Sequence, residues 1–193
     1  KMSVSEVLDM LRENLKRSLH QAKPVNPEKI NLKEEVKDGM DIAMCMVDLT
    51  PKNIINENGV ELKNLYHIQF SGANNPMLVL CNNDAVITNG NYTSETQNNV
   101  TLYDIKPDKM PIGLYITDYK SFTSSNLYVA AGSSFYLFSD GIVDQFGGPK
   151  SDMGGKKYKI SQLKKSLLNI FPKNMNEQKE IIDHNFETWK GQL

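Results

Sequence analysis

Strand-like segments fill the middle of this sequence, and helical segments lie at its two ends. Short apolar runs recur between residues 41 and 138, with polar, turn-forming residues between them. Amphipathic helical spacing precedes this region and follows it. Segregated strands and helices are typical of layered domains with antiparallel sheets. The pattern therefore predicts the α+β class.

The N-terminal segment has the pattern of a capped amphipathic helix. Ser3 and Glu6 have the spacing of a capping box. One apolar stripe follows at helical spacing, through Val4, Val7, Leu8, Leu11, Leu15 and Leu19. We expect the charged residues Glu13, Lys16 and Arg17 to lie mostly on the opposite side. Residues 22–37 are polar and predict a connector with a single helical turn after Pro27.

The central region predicts seven strands, of which two are apolar at nearly every position. Residues 41–48 and 135–138 are such runs, and both faces of each strand should be covered, as in the centre of a sheet. Three further interpretations concern pairing and loops. They are a hairpin of 77–81 with 85–88, a loop over 90–99, and a pair of strands at 127–130 and 134–138.

Two amphipathic helices are predicted after the strands. The first spans about residues 161–170, with a stripe of Leu163, Leu167, Leu168 and Phe171. The second spans about residues 176–189, with Ile181, Ile182, Phe186 and Trp189 buried.

Composition narrows the class of protein. The chain has 193 residues, of which 39% are hydrophobic and 23% charged, a globular balance. A net charge of −1 offers no electrostatic basis for binding nucleic acid. No apolar run approaches the length of a membrane segment. The two cysteines lie in apolar runs and indicate free thiols in a reducing compartment, so we expect the chain to be cytoplasmic.

The sharpest chemical feature is Asp140-Gly141 at the end of an apolar strand. A strand end fixes a carboxylate, and glycine lets the backbone pass close to ions, which suits Mg²⁺ or Mn²⁺. The alternative is an ordinary turn that ends the strand. Asp144 could face the same site or cap the turn. The loop with Gly72 and Asn74 could orient water or a phosphate oxygen, or be only a turn.

In combination, these segments resemble the stage II sporulation protein E family of bacterial phosphatases. In one-letter code, the matching blocks are DGMDIA at 38–43, FSGANNP at 70–76, MPIG at 110–113 and FYLFSDGIVDQFGG at 135–148. The segments KYK at 157–159 and WKG at 189–191 also fit. The family belongs to the metal-dependent, protein phosphatase 2C-like superfamily. The resemblance implies an αββα sandwich of two antiparallel sheets flanked by helices.

The resemblance also implies an activity and a site. It implies hydrolysis of phosphoserine or phosphothreonine on a bacterial signalling protein, by water activated on two Mn²⁺ or Mg²⁺ ions. Asp140, with Gly141, would belong to the metal site, and Asp144, Asn74 and Gly72 would lie near it. The substrate would be a phosphorylated regulatory protein in signal transduction.

The family carries further acidic segments before and after the part that this sequence matches. We therefore expect residues 1–193 to be a single phosphatase domain that is truncated, inactive by itself and prone to dimerise. It would belong to a larger protein, such as the cytoplasmic part of a sensor. The second hypothesis is a catalytically inactive phosphatase-like domain that serves as an interaction module. The third is an unrelated interaction domain.

Overall fold

The structure is a computed structural model. It describes residues 2–19, 21, 38–56, 58–82, 85–115, 120–148 and 155–191. The connector predicted over 22–37, with its helical turn, lies outside the described residues.

The described chain contains four helices and twelve strands. In chain order they are α1 (Val4–Ser18), β1 (Gly39–Met40), β2 (Ile42–Ile55), β3 (Glu61–Ala73), β4 (Met77–Cys81), β5 (Val86–Asn89), β6 (Tyr92–Gln97), β7 (Val100–Ile105), β8 (Ile112–Gly113), β9 (Ser125–Ala130), β10 (Ser134–Leu137), α2 (Asp140–Asp144), β11 (Phe146–Gly147), β12 (Lys156–Lys157), α3 (Ile160–Ile170) and α4 (Met175–Lys190).

Two four-stranded antiparallel sheets form the centre of the molecule. The first sheet has the order β2-β3-β9-β5, and the second has the order β10-β4-β7-β6. The short pairs β1–β8 and β11–β12 are antiparallel as well. This confirms the predicted α+β class.

Three apolar clusters show how the layers stack. The innermost cluster lies between the sheets and joins Ile68 and Leu127 of the first sheet to Val79 and Ile105 of the second. A second cluster packs Leu8 of α1 against the outer side of the first sheet. The third packs the outer side of the second sheet against α3 and α4. Each sheet therefore has one helical cover, and the fold is an αββα sandwich.

Helix α1 begins as the sequence predicts. The Ser3 hydroxyl accepts from the Glu6 backbone, and the Glu6 carboxylate accepts from the Ser3 backbone N–H at 2.6 Å, which completes the capping box. These bonds hold the pKa of Glu6 below its ordinary value. The buried stripe differs from the prediction, because it continues from Val4 and Leu8 through Arg12 and Lys16. The placement of Lys16 on the solvent side was wrong.

Three local predictions in the central region were wrong. Strands β4 and β5 do not form a hairpin, because β4 pairs with β7 and β5 pairs with β9 in the other sheet. Strands β9 and β10 are likewise in different sheets. The loop predicted over 90–99 contains β6, whose polar residues form an exposed edge strand paired with β7.

The two fully apolar runs also lie elsewhere than predicted. Both β2 and β10 are at an edge of their sheets rather than at the centre. The faces of β2 are nevertheless both covered: Cys45 packs into the cluster between the sheets, and Met44 packs toward α1. In β10, by contrast, Phe135 and Leu137 are exposed, so the prediction that both of its faces are covered was wrong.

The C-terminal helices follow the prediction closely. The α3 stripe of Leu163, Leu167 and Leu168 is buried, and Phe171 at its end is buried too. The four apolar residues predicted for α4 pack against the same cluster or line a groove beside it, but they are half-buried. Among the described residues, no helix is long and apolar enough to cross a membrane.

Candidate functional site

Asp140 opens a short helix where the sequence predicted the end of a strand. Strand β10 ends at Leu137, and α2 starts at Asp140 with Ser139 in the N-cap position. The Ser139 side chain makes no capping hydrogen bond. The side chains of Asp140 and Asp144 are both exposed. An acidic residue in the first turn also suits the helix dipole, which gives Asp140 a structural role in α2.

Asp144 is tied to the strand pair that follows α2. Its Oδ2 lies 2.8 Å from Nζ of Lys157 in β12. Backbone bonds reinforce this junction, since the Lys159 N–H donates to the Val143 carbonyl at 2.8 Å. An exposed pair of this kind stabilises a fold by less than about 1 kcal/mol. The backbone bonds therefore hold the end of α2 beside β12, and Asp144 adds a weak ion pair.

The loop after β3 is tightly constrained. Gly72 is buried, and a Cβ at this position would lie 2.3 Å from the Asn75 carbonyl oxygen. Backbone hydrogen bonds of 2.9 Å join both Gly72 and Asn74 to Asp108. Asn74 has a φ of 60°, in the left-handed region that asparagine tolerates. Its position is therefore set by the backbone around it.

The side chain of Asn74 binds an acid that the sequence did not single out. Asn74 Nδ2 donates to Asp41 Oδ1 at 2.8 Å. Asp41 belongs to the DGMDIA block and stands directly before β2. The signal that could have found it is its place at the start of an apolar strand.

Strand register brings these segments to one end of the sandwich. In the first sheet Ile42 lies opposite Ala73, which places Asp41 beside the loop of Asn74. In the second sheet Leu137 lies opposite Met77, directly after that same loop. The chain beyond Leu137 therefore runs toward the end where Asp41 and Asn74 lie. We call this end, defined by Asp41, Asn74 and Asp140, the acidic end of the sandwich.

The described residues do not make a complete metal centre at the acidic end. Within the described ranges, no group of three or more His, Cys, Asp or Glu side chains is arranged to hold a metal ion. Two divalent ions need several carboxylate oxygens, and Asp140 is one exposed carboxylate. The residues described here therefore do not fit a pair of Mn²⁺ or Mg²⁺ ions by themselves.

A largely apolar groove of about 560 Å³ lies between α2 and α4, and no sequence pattern indicated it. Ser139 and Gly141, the two neighbours of Asp140, line the groove together with Ile182 and Phe186 of α4. We call this feature the α4 groove. It adjoins the chain segment that carries Asp140.

The inner wall of the α4 groove is fixed by a hydrogen-bond network. Tyr136 Oη donates to Oε1 of Gln178, a residue that is only 2% exposed. Gln178 Nε2 in turn donates to the carbonyls of Lys173 and Phe171 at 2.8 and 3.3 Å. Burial raises the pKa of Tyr136, which keeps its phenol protonated as the donor. The network therefore ties β10 to α4 and to the turn before it.

Comparison with known proteins finds a similar solved structure but no matching sequence family. No family model matches the sequence, and no curated protein matches it. The solved structure of the SiaA-PP2C domain of Pseudomonas aeruginosa is similar, with 19% identity and a TM-score of 0.47. The match covers 65% of this chain and 40% of that one, so the chain corresponds to about two fifths of that solved chain. The αββα architecture rests on the packing of this chain's own layers.

Proposed function

We propose that the chain is part of a metal-dependent protein serine/threonine phosphatase related to the stage II sporulation protein E family. One observation carries the proposal. The αββα sandwich brings Asp41, the loop of Asn74 and the strand end before Asp140 to one end of the molecule. These are three of the motif blocks on which the family resemblance rests, and they are far apart in the sequence.

In this proposal, Asp140 supplies one carboxylate ligand to Mn²⁺ or Mg²⁺, beside the backbone of Gly141. Asn74 and Gly72 shape the neighbouring loop, and Asp144 adds an ion pair between α2 and β12. The remaining ligands come from residues outside the described part of the chain.

The proposed substrate is a phosphoserine or phosphothreonine on a bacterial regulatory protein. The proposed setting is signal transduction in the cytoplasm, where the domain would respond to a sensor in the same protein. The even charge balance of the chain, −1 overall, fits a protein substrate better than a polyanion.

A second candidate is a phosphatase-like domain that binds a partner without catalysis. The observation that favours it is the missing cluster of ligands within the described residues. The two candidates differ in their response to Mn²⁺. A phosphatase binds the ion and releases phosphate, whereas an interaction module does neither.

The proposal is tested in the longest natural protein that contains this domain. We expect Asp140→Ala to lower Mn²⁺-dependent phosphate release from a phosphoserine peptide by at least about 100-fold, because a ligand is lost. The matched control is Glu61→Ala. Glu61 is exposed and pairs with Ile55 at the far end of the hairpin, away from the acidic end.

Calorimetry of Mn²⁺ binding separates the outcomes. Weaker binding together with lost activity in Asp140→Ala, and unchanged values in Glu61→Ala, support the phosphatase. Full activity in Asp140→Ala contradicts the role of Asp140. No binding and no turnover in the unmodified protein favour the inactive domain.

A further inference from the structure

The backbone that carries Asn74 is fixed by Asp108. The Asn74 N–H donates to the Asp108 carbonyl, and the Asp108 N–H donates to the Gly72 carbonyl, both at 2.9 Å. The Asp108 carboxylate is itself held in place, because it accepts from the Thr123 N–H at 2.7 Å. The backbone at Asn74 therefore has a set position, and only the direction of its side chain is left to define.

Asp41 is held from both sides as well. The residue before it belongs to β1, which pairs with β8, and the residue after it, Ile42, lies opposite Ala73 in the first sheet. Asp41 thus lies where the chain passes from one pair of strands to the other. Its Oδ1 accepts from Asn74 Nδ2 at 2.8 Å, so this hydrogen bond joins two anchored positions.

The hydrogen bond decides which end of the Asn74 carboxamide is free. A carboxamide has one donating and one accepting end, whereas a carboxylate only accepts. Asp41 therefore takes the Nδ2 end, and Asn74 Oδ1 is turned away from it. Among the described residues, none donates to this oxygen. Both side chains are exposed, so a ligand that binds to Asn74 Oδ1 has to be a hydrogen-bond donor.

This orientation distinguishes two kinds of ligand. The oxygens of an ionised phosphoryl group accept hydrogen bonds, so Asn74 Oδ1 does not bind them. A water molecule donates, and it fits. A carboxamide oxygen is not a general base, so Asn74 can orient a water molecule but does not take its proton.

We propose that Asp41 is a positioning residue, which turns Asn74 so that Oδ1 accepts a hydrogen bond from the water that attacks phosphorus. The inference rests on the proposed phosphatase function and gives Asn74 a part in it. The water oxygen bonds to phosphorus, and the bond from phosphorus to the serine or threonine oxygen breaks. One water proton ends on that leaving oxygen, and the other stays on the phosphate. Asn74 contributes the direction of attack.

The test uses the longest natural protein that contains this domain. Asp41→Ala removes the partner that fixes the carboxamide, so Asn74 can turn either end toward the water. We expect kcat for a phosphoserine peptide to fall about tenfold, because the water is no longer oriented. KM and the inhibition constant of inorganic phosphate should stay unchanged, since neither depends on that water.

The matched control is Asp48→Ala. Asp48 also forms a local hydrogen bond, accepting from the Thr50 N–H at 3.0 Å, but it lies opposite His67, where β2 has run away from the acidic end. This variant should keep kcat and KM.

An exchange of the two side chains tests the hydrogen bond itself. In the double variant Asp41→Asn with Asn74→Asp, a carboxamide still donates to a carboxylate, and position 74 still offers an acceptor. It should keep kcat within about threefold of the unmodified protein. Asn74→Asp alone places two carboxylates together and should lose about tenfold.

A second readout does not depend on activity. In crystals of the same protein soaked with inorganic phosphate, we expect a water molecule within hydrogen-bond distance of Asn74 Oδ1, with Nδ2 still bonded to Asp41. A phosphate oxygen bonded to Nδ2 would overturn the inference.

The kinetic outcomes separate this inference from the proposed function. An unmodified protein that releases no phosphate contradicts the phosphatase, and this role of Asn74 with it. A phosphatase whose kcat is unchanged in Asp41→Ala overturns the inference alone. A changed KM or a changed inhibition by phosphate also overturns it, because Asn74 would then contact the phosphoryl group. The same holds if the double variant is no more active than Asn74→Asp.

Discussion

The close packing of Trp189 requires glycine at positions 147 and 148, just after α2. A Cβ at Gly147 would lie 1.9 Å from the Trp189 carbonyl oxygen, and the Gly148 N–H donates to that same oxygen at 2.7 Å. The Trp189 indole N–H donates to the Gln145 carbonyl at 3.2 Å, and its ring meets Tyr158 edge-on at 5.4 Å. The end of α4 is thereby locked to β11.

Gly147→Ala should destabilise the fold by about 2–3 kcal/mol, because the backbone of α4 has to shift to admit a methyl group. Gly141→Ala is the matched control. A Cβ at Gly141 meets only the Ser139 hydroxyl at 3.4 Å, and the residue is already helical, so the change should be below about 1 kcal/mol. Urea denaturation measures both. Equal midpoints for the two variants would contradict this account of the glycines.

The burial of some charged residues could not be predicted from the sequence, because a long side chain can pack its apolar stem in the core and still satisfy its charged end. Arg12 is 5% exposed, with its guanidinium 4.9 Å from the centre of the Phe122 ring and bonded to Asp9 and the Lys120 carbonyl at 2.8 Å. These partners are more than a hundred residues away or on the same helix. A helical pattern alone assigns such a charge to solvent.

At the scale of single elements, the helix ends are defined by their own sequence. Asn174 caps α4 by accepting from the Glu177 N–H at 3.0 Å, and the Glu177 carboxylate accepts from the Asn174 N–H at 3.2 Å. This capping box and the one at Ser3 are local patterns. That is why the predicted starts of α1 and α4 lie within about two residues of the observed ones.

Asn174→Ala should lower the free energy of unfolding by about 1 kcal/mol, since one of the first N–H groups of α4 loses its acceptor. Asn169→Ala in α3 serves as the control. Asn169 is an exposed position inside a helix, where alanine is expected to change stability by no more than about 0.5 kcal/mol. Thermal melts of both variants provide the measurement, and a loss in Asn169→Ala alone would refute the capping role.

The sequence predicted where several strands lie, but not which strands pair with each other. Residues 77–81 and 86–89 are strands as expected, yet they join different sheets. An apolar period identifies a strand and its faces, but it carries no information on which neighbour supplies the hydrogen bonds. Asp140 was identified because it directly follows an apolar run. The hydrogen bond between Asn74 and Asp41 was not, because it depends on the register of β2 and β3.

At the scale of the whole molecule, the residues themselves predicted a layered α+β domain. The specific αββα order came from the family resemblance. The cluster between the sheets is the core that both sheets share, and Ile105 is completely buried in it. The place of β10 in the outer position of its sheet, as far as the described strands go, was not predicted, because an apolar run does not show which strands lie beside it.

Ile105→Ala should cost about 2–5 kcal/mol, since it leaves a cavity between two rigid sheets. Ile55→Ala removes the same atoms from a residue that is 71% exposed at the end of β2, and should cost less than about 1 kcal/mol. Chemical denaturation followed by tryptophan fluorescence reports both. Similar losses for the two would mean that the sheets do not share one cooperative core.

The alternation of strands between the sheets has a kinetic consequence. The polypeptide passes from one sheet to the other after β3, β4, β5, β7 and β9, so neither sheet is a continuous stretch of sequence. Each requires loops to close before its strands can meet, and loop closure slows the search for the native state. A partly synthesised chain therefore holds strands of both sheets before either sheet is complete, and refolding from denaturant, followed by tryptophan fluorescence, should be slow.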